Sequence, residues 1–146
     1  MRLTAWCIAA LALAPGLACA LDYRSVAVAS PLYDTPSKQG KKEWVILKDT
    51  PVEVIVSLDQ WVKVRDPSGA IAWMERKALS STRRTVIVTA DDVPVRQQAD
   101  VASPLAFTAG RDVVLEMLDK SSSGWIKVKH RDGTQGFVRA TDVWGE

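Results

Sequence analysis

The chain has 146 residues, of which 19 are lysine or arginine and 17 are aspartate or glutamate, so its formal net charge is +2. A balance this even gives no reason to expect nucleic acid or an acidic membrane surface as a partner. One histidine and two cysteines provide no metal-ligand set at any usual spacing, and we predict neither a metal ion nor a cofactor.

Residues 1–20 have the pattern of a secretory signal peptide. Arg2 gives a short positive segment, residues 5–13 form an apolar run rich in Ala and Leu, and Pro15-Gly16 interrupts that run. Ala18-Cys19-Ala20 is a small-x-small cleavage site, so we expect cleavage after Ala20. Two alternatives stay open: lipidation of Cys19, and an uncleaved anchor, for which the apolar run is barely long enough.

Cleavage would leave residues 21–146 without a thiol, because Cys7 and Cys19 both leave with the signal. No further apolar run is long enough to cross a bilayer. The mature chain therefore has to be stabilised by apolar packing, and we expect an exported protein, periplasmic or secreted, with no membrane span after cleavage.

The mature chain reads as a series of short β-strands. We predict strands at residues 25–29, 44–48 and 52–56, with an irregular stretch rich in Pro, Asp, Ser and Gln after the first. A hairpin beginning at Trp61 follows, with a turn at Asp66-Pro67-Ser68-Gly69. A short polar-apolar segment, residues 76–79, predicts a single turn of 3₁₀ helix.

Residues 61–65 alternate between apolar and charged side chains in the order Trp-Val-Lys-Val-Arg. We interpret them as a half-buried antiparallel strand with Trp and Val on one face and Lys and Arg on the other. Trp61, and Trp125 at the same place in a second copy, are then expected to fill a barrel interior. The alternative is a stacking platform for a sugar ring or a peptide.

The whole pattern returns 64 residues later, which indicates one structural unit used twice. Second-copy strands are predicted at residues 85–89, 105–108 and 112–118, and a second 3₁₀ turn at residues 140–143. The repeated positions are Trp61-Val62-Lys63-Val64 with Trp125-Ile126-Lys127-Val128, Gly69 with Gly133, and Ala72-Trp73-Met74 with Gly136-Phe137-Val138. Since only residues 80–82 separate the copies, we expect the two units to pack on each other.

These motifs, together with Pro-Val-Glu-Val at residues 51–54, resemble the bacterial SH3-like family. The resemblance covers nearly the whole mature chain and implies an all-β fold with two tandem five-stranded barrels, residues 21–82 and 83–146. In that family an Arg-x-Gly-Pro stretch forms part of the groove edge. Tyr33-Asp34-Thr35-Pro36 stands there in the first unit.

Three aromatic residues are the candidates for ligand contact. Tyr33 lies in the irregular stretch and is the strongest, whereas Trp73 and Phe137 follow the small residue of the second hairpin strand and could lie either across a groove or in the core. The candidates for an inter-unit or partner contact are Trp44 and Trp144, which align with no aromatic residue in the other copy, and the basic residues Arg76, Arg83 and Arg84 beside the linker.

No catalytic constellation is recognisable. Neither Ser-x-x-Lys nor Gly-x-Ser-x-Gly occurs in the sequence. His130, the single histidine, belongs to a predicted turn between Lys129 and Arg131, where a general base has no evident partner. We therefore predict that the protein is not an enzyme.

Export, tandem barrels and the absence of a catalytic pattern predict a non-enzymatic envelope protein that recognises a peptide or a peptidoglycan component. The alternative is a structural subunit that binds a protein partner of an envelope complex and has no wall affinity. The sequence does not specify the oligomeric state.

Overall fold

The computed structural model describes residues 20–120 and 123–146, so the predicted signal lies outside the described residues apart from Ala20. Within those ranges the chain forms two antiparallel β-sheets and two single 3₁₀ turns. The predicted all-β class with two tandem barrels is therefore confirmed.

The first sheet has the strand order β1-β4-β5-β6-β2-β3. Its strands are β1 (Asp22–Ser25), β2 (Ser30–Tyr33), β3 (Lys42–Ile46), β4 (Pro51–Ser57), β5 (Trp61–Arg65) and β6 (Ile71–Glu75). A 3₁₀ turn at Arg76–Ala78 follows, and Leu79 returns to bridge Val26 beside β1. That bridge brings the end of the unit back to its beginning.

The second sheet repeats this arrangement in the order β13-β7-β10-β11-β12-β8-β9. Its strands are β7 (Thr85–Val88), β8 (Val93–Arg96), β9 (Leu105–Ala109), β10 (Val114–Lys120), β11 (Trp125–Lys129), β12 (Gln135–Arg139) and β13 (Val143–Trp144), with a 3₁₀ turn at Ala140–Asp142. Both 3₁₀ turns lie where the sequence predicts them.

Each described sheet has more strands than the five expected. The extra ones are β13 at the end of the second unit, and β2 and β8, which lie where the sequence predicts an irregular stretch. β2 and β8 each contain a proline, Pro31 or Pro94, and proline weakens a strand prediction because it cannot donate to the ladder. The opening strand also lies earlier than predicted, at Asp22–Ser25 instead of residues 25–29.

Each sheet encloses its own apolar core. The first core is formed by Val26, Leu32, Ile46, Val52, Val62, Val64, Ala72, Met74 and Ala78. The second is formed by Val86, Val88, Val93, Val95, Ala109, Leu115, Ile126, Val128, Val138 and Val143. Both are built from aliphatic side chains of the hairpin and the strands around it, and neither contains a tryptophan.

The expectation that Trp61 fills the barrel interior is therefore wrong, whereas Trp125 is buried, at 8% exposed, but lies outside the aliphatic cluster of the second core. Successive side chains of a strand point to opposite faces, so burying Val62 and Val64 places Trp61 with Lys63 on the outer face. The burial pattern of β5 shows this alternation, with Val62 and Val64 buried and the other three residues half-buried. Trp125 stands in the same relation to the buried Ile126 and Val128.

The two units pack on each other through a buried set of hydrogen bonds. The Thr85 hydroxyl donates to the carbonyl oxygen of Asp49 (2.7 Å), and the Thr85 N–H donates to Ser25 Oγ (2.8 Å). The Ser25 and Thr85 hydroxyl oxygens are 2.7 Å apart. Because the single Thr85 hydroxyl proton is donated to Asp49, Ser25 is the donor in this contact. Ser25 is the last residue of β1 and Thr85 the first of β7, so this set fixes the start of the second sheet against the first.

The C-terminal segment adds a second inter-unit contact. The Trp144 indole meets the Tyr23 ring edge-on, with centroids 5.1 Å apart. Gly145 has φ +111°, and a Cβ built there would lie 2.7 Å from Pro51 Cβ. A side chain at position 145 would therefore push this segment away from the first unit.

Candidate functional site

The outer side of the β5–β6 hairpin carries two tryptophans of the first unit, Trp61 and Trp73. Lys63 is paired with Trp73, and Trp73 with Tyr33, across neighbouring strands. Trp61 lies on the same side as Lys63 because the two are separated by one residue. We call these four residues, Tyr33, Trp61, Lys63 and Trp73, the first aromatic face.

The geometry of the first aromatic face is layered. Tyr33 is only 4% exposed and supports Trp61 edge-on, with ring centroids 5.4 Å apart and an interplanar angle of 85°. Lys63 Nζ lies 5.7 Å from the Trp73 ring centroid, within cation–π range. Both indoles are half-buried. A planar or apolar ligand group can stack on them, and the ammonium group lies beside it for a polar contact.

The corresponding residues of the second unit differ in charge and exposure. Arg96, Trp125, Lys127 and Phe137 take the places of Tyr33, Trp61, Lys63 and Trp73, and we call them the second aromatic face. Trp125 is 8% exposed, and the Arg139 guanidinium lies 5.2 Å from its ring centroid. Phe137 is half-buried. The indole of this face is thus covered by a cation of the protein.

Two positions differ from their sequence-based placement. Tyr33 is the last residue of β2 and is buried, so it supports a neighbouring ring and is not a residue of an irregular loop. Trp44 has an aromatic counterpart after all: it pairs with Leu32 as Phe107 pairs with Val95, and each packs on its own core. The repeat of 64 residues seen in the hairpins hides this correspondence. Trp44 and Phe107 are 63 residues apart, because the loops before the two hairpins differ in length by one residue.

The basic residues beside the linker have different surroundings. Arg76 donates from Nε to the carbonyl oxygen of Asp59 (2.9 Å) and from Nη2 to that of Leu58, both in its own unit. The backbone carbonyl of Arg84 accepts from Met117, while its Nε is buried without a hydrogen bond in the described part of the chain. Arg83 differs from both, because it reaches across the unit boundary.

Arg83 lies at a cleft of about 870 Å³ between the units. Its Nε is 3.4 Å from an Asp49 carboxylate oxygen of the first unit, and its Nη2 is 3.8 Å from Glu116 of the second. Lys129 also pairs with Glu116, at 3.1 Å. The cleft therefore has walls of mixed and largely compensated charge.

His130 lies at the rim of this cleft. Its Nδ1 is 3.1 Å from an Asp132 carboxylate oxygen. The backbone N–H of Thr134 donates to Asp132 and is the main cause that lowers the pKa of this carboxyl group. Within residues 20–120 and 123–146, no cluster of three or more His, Cys, Asp or Glu side chains is arranged to hold a metal ion.

The fold and the two aromatic faces define the protein as a tandem of small β-barrel modules, each with a shallow aromatic surface on its outer side. The family model described as "Bacterial SH3 domain" matches the chain twice, at residues 26–81 and 89–145. The chain therefore belongs to the bacterial SH3 domain family, as the sequence motifs indicate. Domains of this family are binding modules and not catalytic domains.

No curated protein matches the chain. Among solved structures, it is similar to NlpC2 from Trichomonas vaginalis (11% identity, TM-score 0.41, 86% of this chain and 48% of that one) and NlpC1 from the same organism (10%, 0.41, 96% and 51%). A third is an NlpC/P60 family protein from Bacillus cereus (16%, 0.39, 84% and 56%). The chain spans about half the length of these proteins.

In the part of the chain that the structure describes, no helix has the length and apolar character needed to cross a membrane.

Proposed function

We propose that this protein is a non-enzymatic binding or adaptor protein of the bacterial cell envelope, and that its first aromatic face contacts a peptide or a peptidoglycan component. The observation that carries the proposal is the pair of half-buried indoles, Trp61 and Trp73, on the side of the hairpin away from the core. The signal pattern of residues 1–20 supports export. The unit boundaries 21–82 and 83–146 belong to the same proposal.

Binding on this face would work by stacking on a surface that is already ordered. Tyr33 fixes the orientation of Trp61, so little side-chain freedom is lost when a ligand binds. A shallow face gives weak affinity, and the second unit raises it only if both units reach the same polymer at once. Phe137 is the residue through which the second unit would take part, because Arg139 covers Trp125.

The test is co-sedimentation of residues 21–146 with insoluble peptidoglycan. Wild-type protein is expected to sediment above a control without peptidoglycan, and Trp73→Ala is expected to weaken binding about ten-fold, the equivalent of about 1.4 kcal/mol from one lost stacking contact. Phe137→Ala is the matched variant of the second unit and is expected to have a smaller effect.

Wild-type protein that stays in the supernatant would remove the wall ligand and favour the structural subunit as the function. Binding that Trp73→Ala leaves unchanged would keep the wall ligand but remove the first aromatic face as its site. Circular dichroism of each variant establishes that the fold is intact.

A further inference from the structure

The first sheet ends in a strand that is open on one side. β3 is the terminal strand of the described sheet and is hydrogen-bonded to β2 alone. An edge of this kind offers free backbone N–H and C=O groups to another strand. Two large apolar side chains next to this edge are exposed: Val45 at 61% and Leu47 at 68%.

These two side chains belong to a wider apolar surface. Val45 lies opposite Pro31 in the register of β2 and β3, and Pro31 lines a pocket of about 180 Å³ together with the exposed Val28. We call Val28, Pro31, Val45 and Leu47 the β3 patch. None of them belongs to the first aromatic face, which begins at Tyr33, two residues after Pro31 on the same side of β2.

The second unit shows that the fold does not require apolar residues at these positions. Thr108 pairs with Pro94 as Val45 pairs with Pro31. Gly110 accepts a hydrogen bond from Val113 as Leu47 does from Thr50, which makes these two residues equivalent. The apolar side chains at Val45 and Leu47 are thus a property of the first unit alone.

Charged side chains surround the β3 patch. Five lysines flank it, Lys38, Lys41, Lys42, Lys48 and Lys77, together with four carboxylates, Asp34, Glu43, Asp49 and Glu75. Glu75 is paired with Lys38 and Lys77, and Glu43 with Lys41. Lys42 and Lys48, at the two ends of the edge, form no ion pair within the described residues. In the second unit the counterpart of Lys48 is Arg111, which is held by Asp91 and by the carbonyl oxygen of Thr89.

Lysines on an edge strand also protect it from pairing with other chains. That role does not explain the two exposed apolar side chains between them, which favour such pairing. The combination is selective: it admits a strand that has apolar side chains in the middle and carboxylates at its ends.

We propose that the β3 edge is a docking site for an extended segment of another protein, with apolar residues at alternate positions and an Asp or Glu at each end. The segment adds to the first sheet as a further strand, its apolar side chains lie on the β3 patch, and its carboxylates meet Lys42 and Lys48. Lys42 is the first residue of β3 and Lys48 lies in the turn two residues after its last residue, so the two carboxylates are expected at opposite ends of the segment.

A second copy of this chain fits the edge poorly. If two β3 strands paired antiparallel about Val45, Lys42 of each copy would approach the turn that carries Lys48 of the other, and like charges brought together in this way are destabilising. Charge complementarity thus favours an acidic segment of a different protein.

The test uses residues 21–146 and a phage-displayed library of random dodecapeptides. Enriched sequences are expected to carry Asp or Glu on both sides of alternating apolar residues. A synthetic peptide of the most enriched sequence is expected to bind Val45→Thr/Leu47→Gly at least about ten-fold more weakly than wild type, because two apolar contacts are lost. This variant should fold, since the second unit already has Thr and Gly at these positions.

Two further measurements locate the peptide. Hydrogen exchange of backbone amides is expected to slow at residues 43–47 when the peptide binds, and Lys42→Glu/Lys48→Glu is expected to weaken binding by a similar factor. Trp73→Ala is expected to leave the affinity unchanged, which separates this site from the wall ligand proposed above. Failure of the peptidoglycan experiment therefore leaves this inference intact, and the reverse also holds.

Three results would overturn the inference. One is a library selection that yields no acidic, alternating sequence; another is peptide affinity that Val45→Thr/Leu47→Gly leaves unchanged. The third is a dimer of the free protein in sedimentation equilibrium that the same variant abolishes, because the edge would then be occupied by a second copy.

Discussion

The two units have nearly the same interior and different exteriors. Val62 and Val64 of the first core correspond to Ile126 and Val128 of the second, and both hairpins are followed by a 3₁₀ turn. Outside, however, Tyr33 is replaced by Arg96, and Glu75 by the Arg139 that covers Trp125. Packing restricts what the cores can hold, while the outer faces are free to differ.

This difference shows where function resides in the chain. A tryptophan at the same position in both copies looks structural, yet Trp61 and Trp125 lie outside the cores in unlike surroundings. The first unit has less positive charge on its aromatic face and an apolar β3 edge, and the second has covered or polar equivalents. We therefore expect binding to depend mainly on the first unit, with the second unit holding it in place through the joint at Thr85.

The largest expected effect concerns the small residue before the hairpin aromatic. A Cβ at Gly136 would lie 2.6 Å from Val95 Cγ1 and 2.8 Å from the carbonyl oxygen of Arg96. Gly136→Ala is therefore expected to lower the free energy of unfolding by about 3 kcal/mol, since one of these contacts is with backbone. Urea denaturation measures the change.

The first unit provides the matched control for this prediction, because Ala72 occupies the same position and is buried there. Ala72→Gly is expected to cost only about 1 kcal/mol, mainly through backbone entropy. If Gly136→Ala cost as little as Ala72→Gly, the strands around position 136 would have room for a Cβ, as those around Ala72 do.

Much of the fold could be predicted from the sequence, because the repeat and the period of two are local signals. The hairpins, both 3₁₀ turns and the tandem arrangement follow from them. The face assignment of Trp61 failed because the hydrophobicity of the residue was given more weight than its parity along the strand. β2 was missed because Ser-Pro-Leu-Tyr is short and contains Pro31. The open β3 edge depends on sheet order, which no local pattern contains.

The next largest loss of stability is expected from a substitution at the contact between the two units. Trp144→Ala removes an indole that meets Tyr23 edge-on and has no aromatic counterpart in the first unit. We expect a loss of about 2 kcal/mol, less than for a fully buried tryptophan because Trp144 is half-buried. Amides of β1 are expected to exchange faster in the variant.

Leu105→Ala is the control for the contact between the units, since Leu105 is exposed on β9, at the opposite end of the strand order from β13. Its effect is expected to stay within about 0.5 kcal/mol. If Trp144→Ala left the exchange of β1 amides unchanged, the contact between the units would depend on the Thr85 hydrogen bonds and the Arg83 ion pairs and not on the indole.

A repeated ion pair allows a smaller and more direct comparison. Glu53 pairs with Arg65 at 2.7 Å in the first unit, and Glu116 with Lys129 at 3.1 Å in the second. The Glu53 side chain is 12% exposed, against 26% for Glu116, which also has Arg83 nearby. Arg65→Met is therefore expected to cost about 1 kcal/mol, because it leaves a mostly buried carboxylate without its partner.

Lys129→Met is expected to cost less than about 0.5 kcal/mol, as for an exposed pair with a second cation in reach. Urea denaturation of the two variants at neutral pH makes the comparison. A larger cost for Lys129→Met would show that Glu116 and Arg83 depend on Lys129 to hold the joint.

The smallest effect is a pH dependence of stability at alkaline pH that comes from Tyr23, which has no equivalent in the second unit because Thr85 stands at the aligned position of β7. Burial raises the pKa of the Tyr23 hydroxyl above its ordinary value of 10.0, and the Glu53 carboxylate adds to the shift. The folded chain thus holds this proton more tightly than the unfolded chain. The resulting stabilisation is fully present below pH 10 and is lost as the pH rises through the folded pKa.

Tyr23→Phe tests this prediction, because it keeps the ring that meets Trp144 and removes the titrating hydroxyl. The difference in unfolding free energy between wild type and variant is expected to be constant from pH 7 to about 9. Above that pH it is expected to change in favour of the variant. Parallel stability curves up to pH 11 would show that the hydroxyl is solvated in the folded state, and that the joint leaves this edge of β1 open to water.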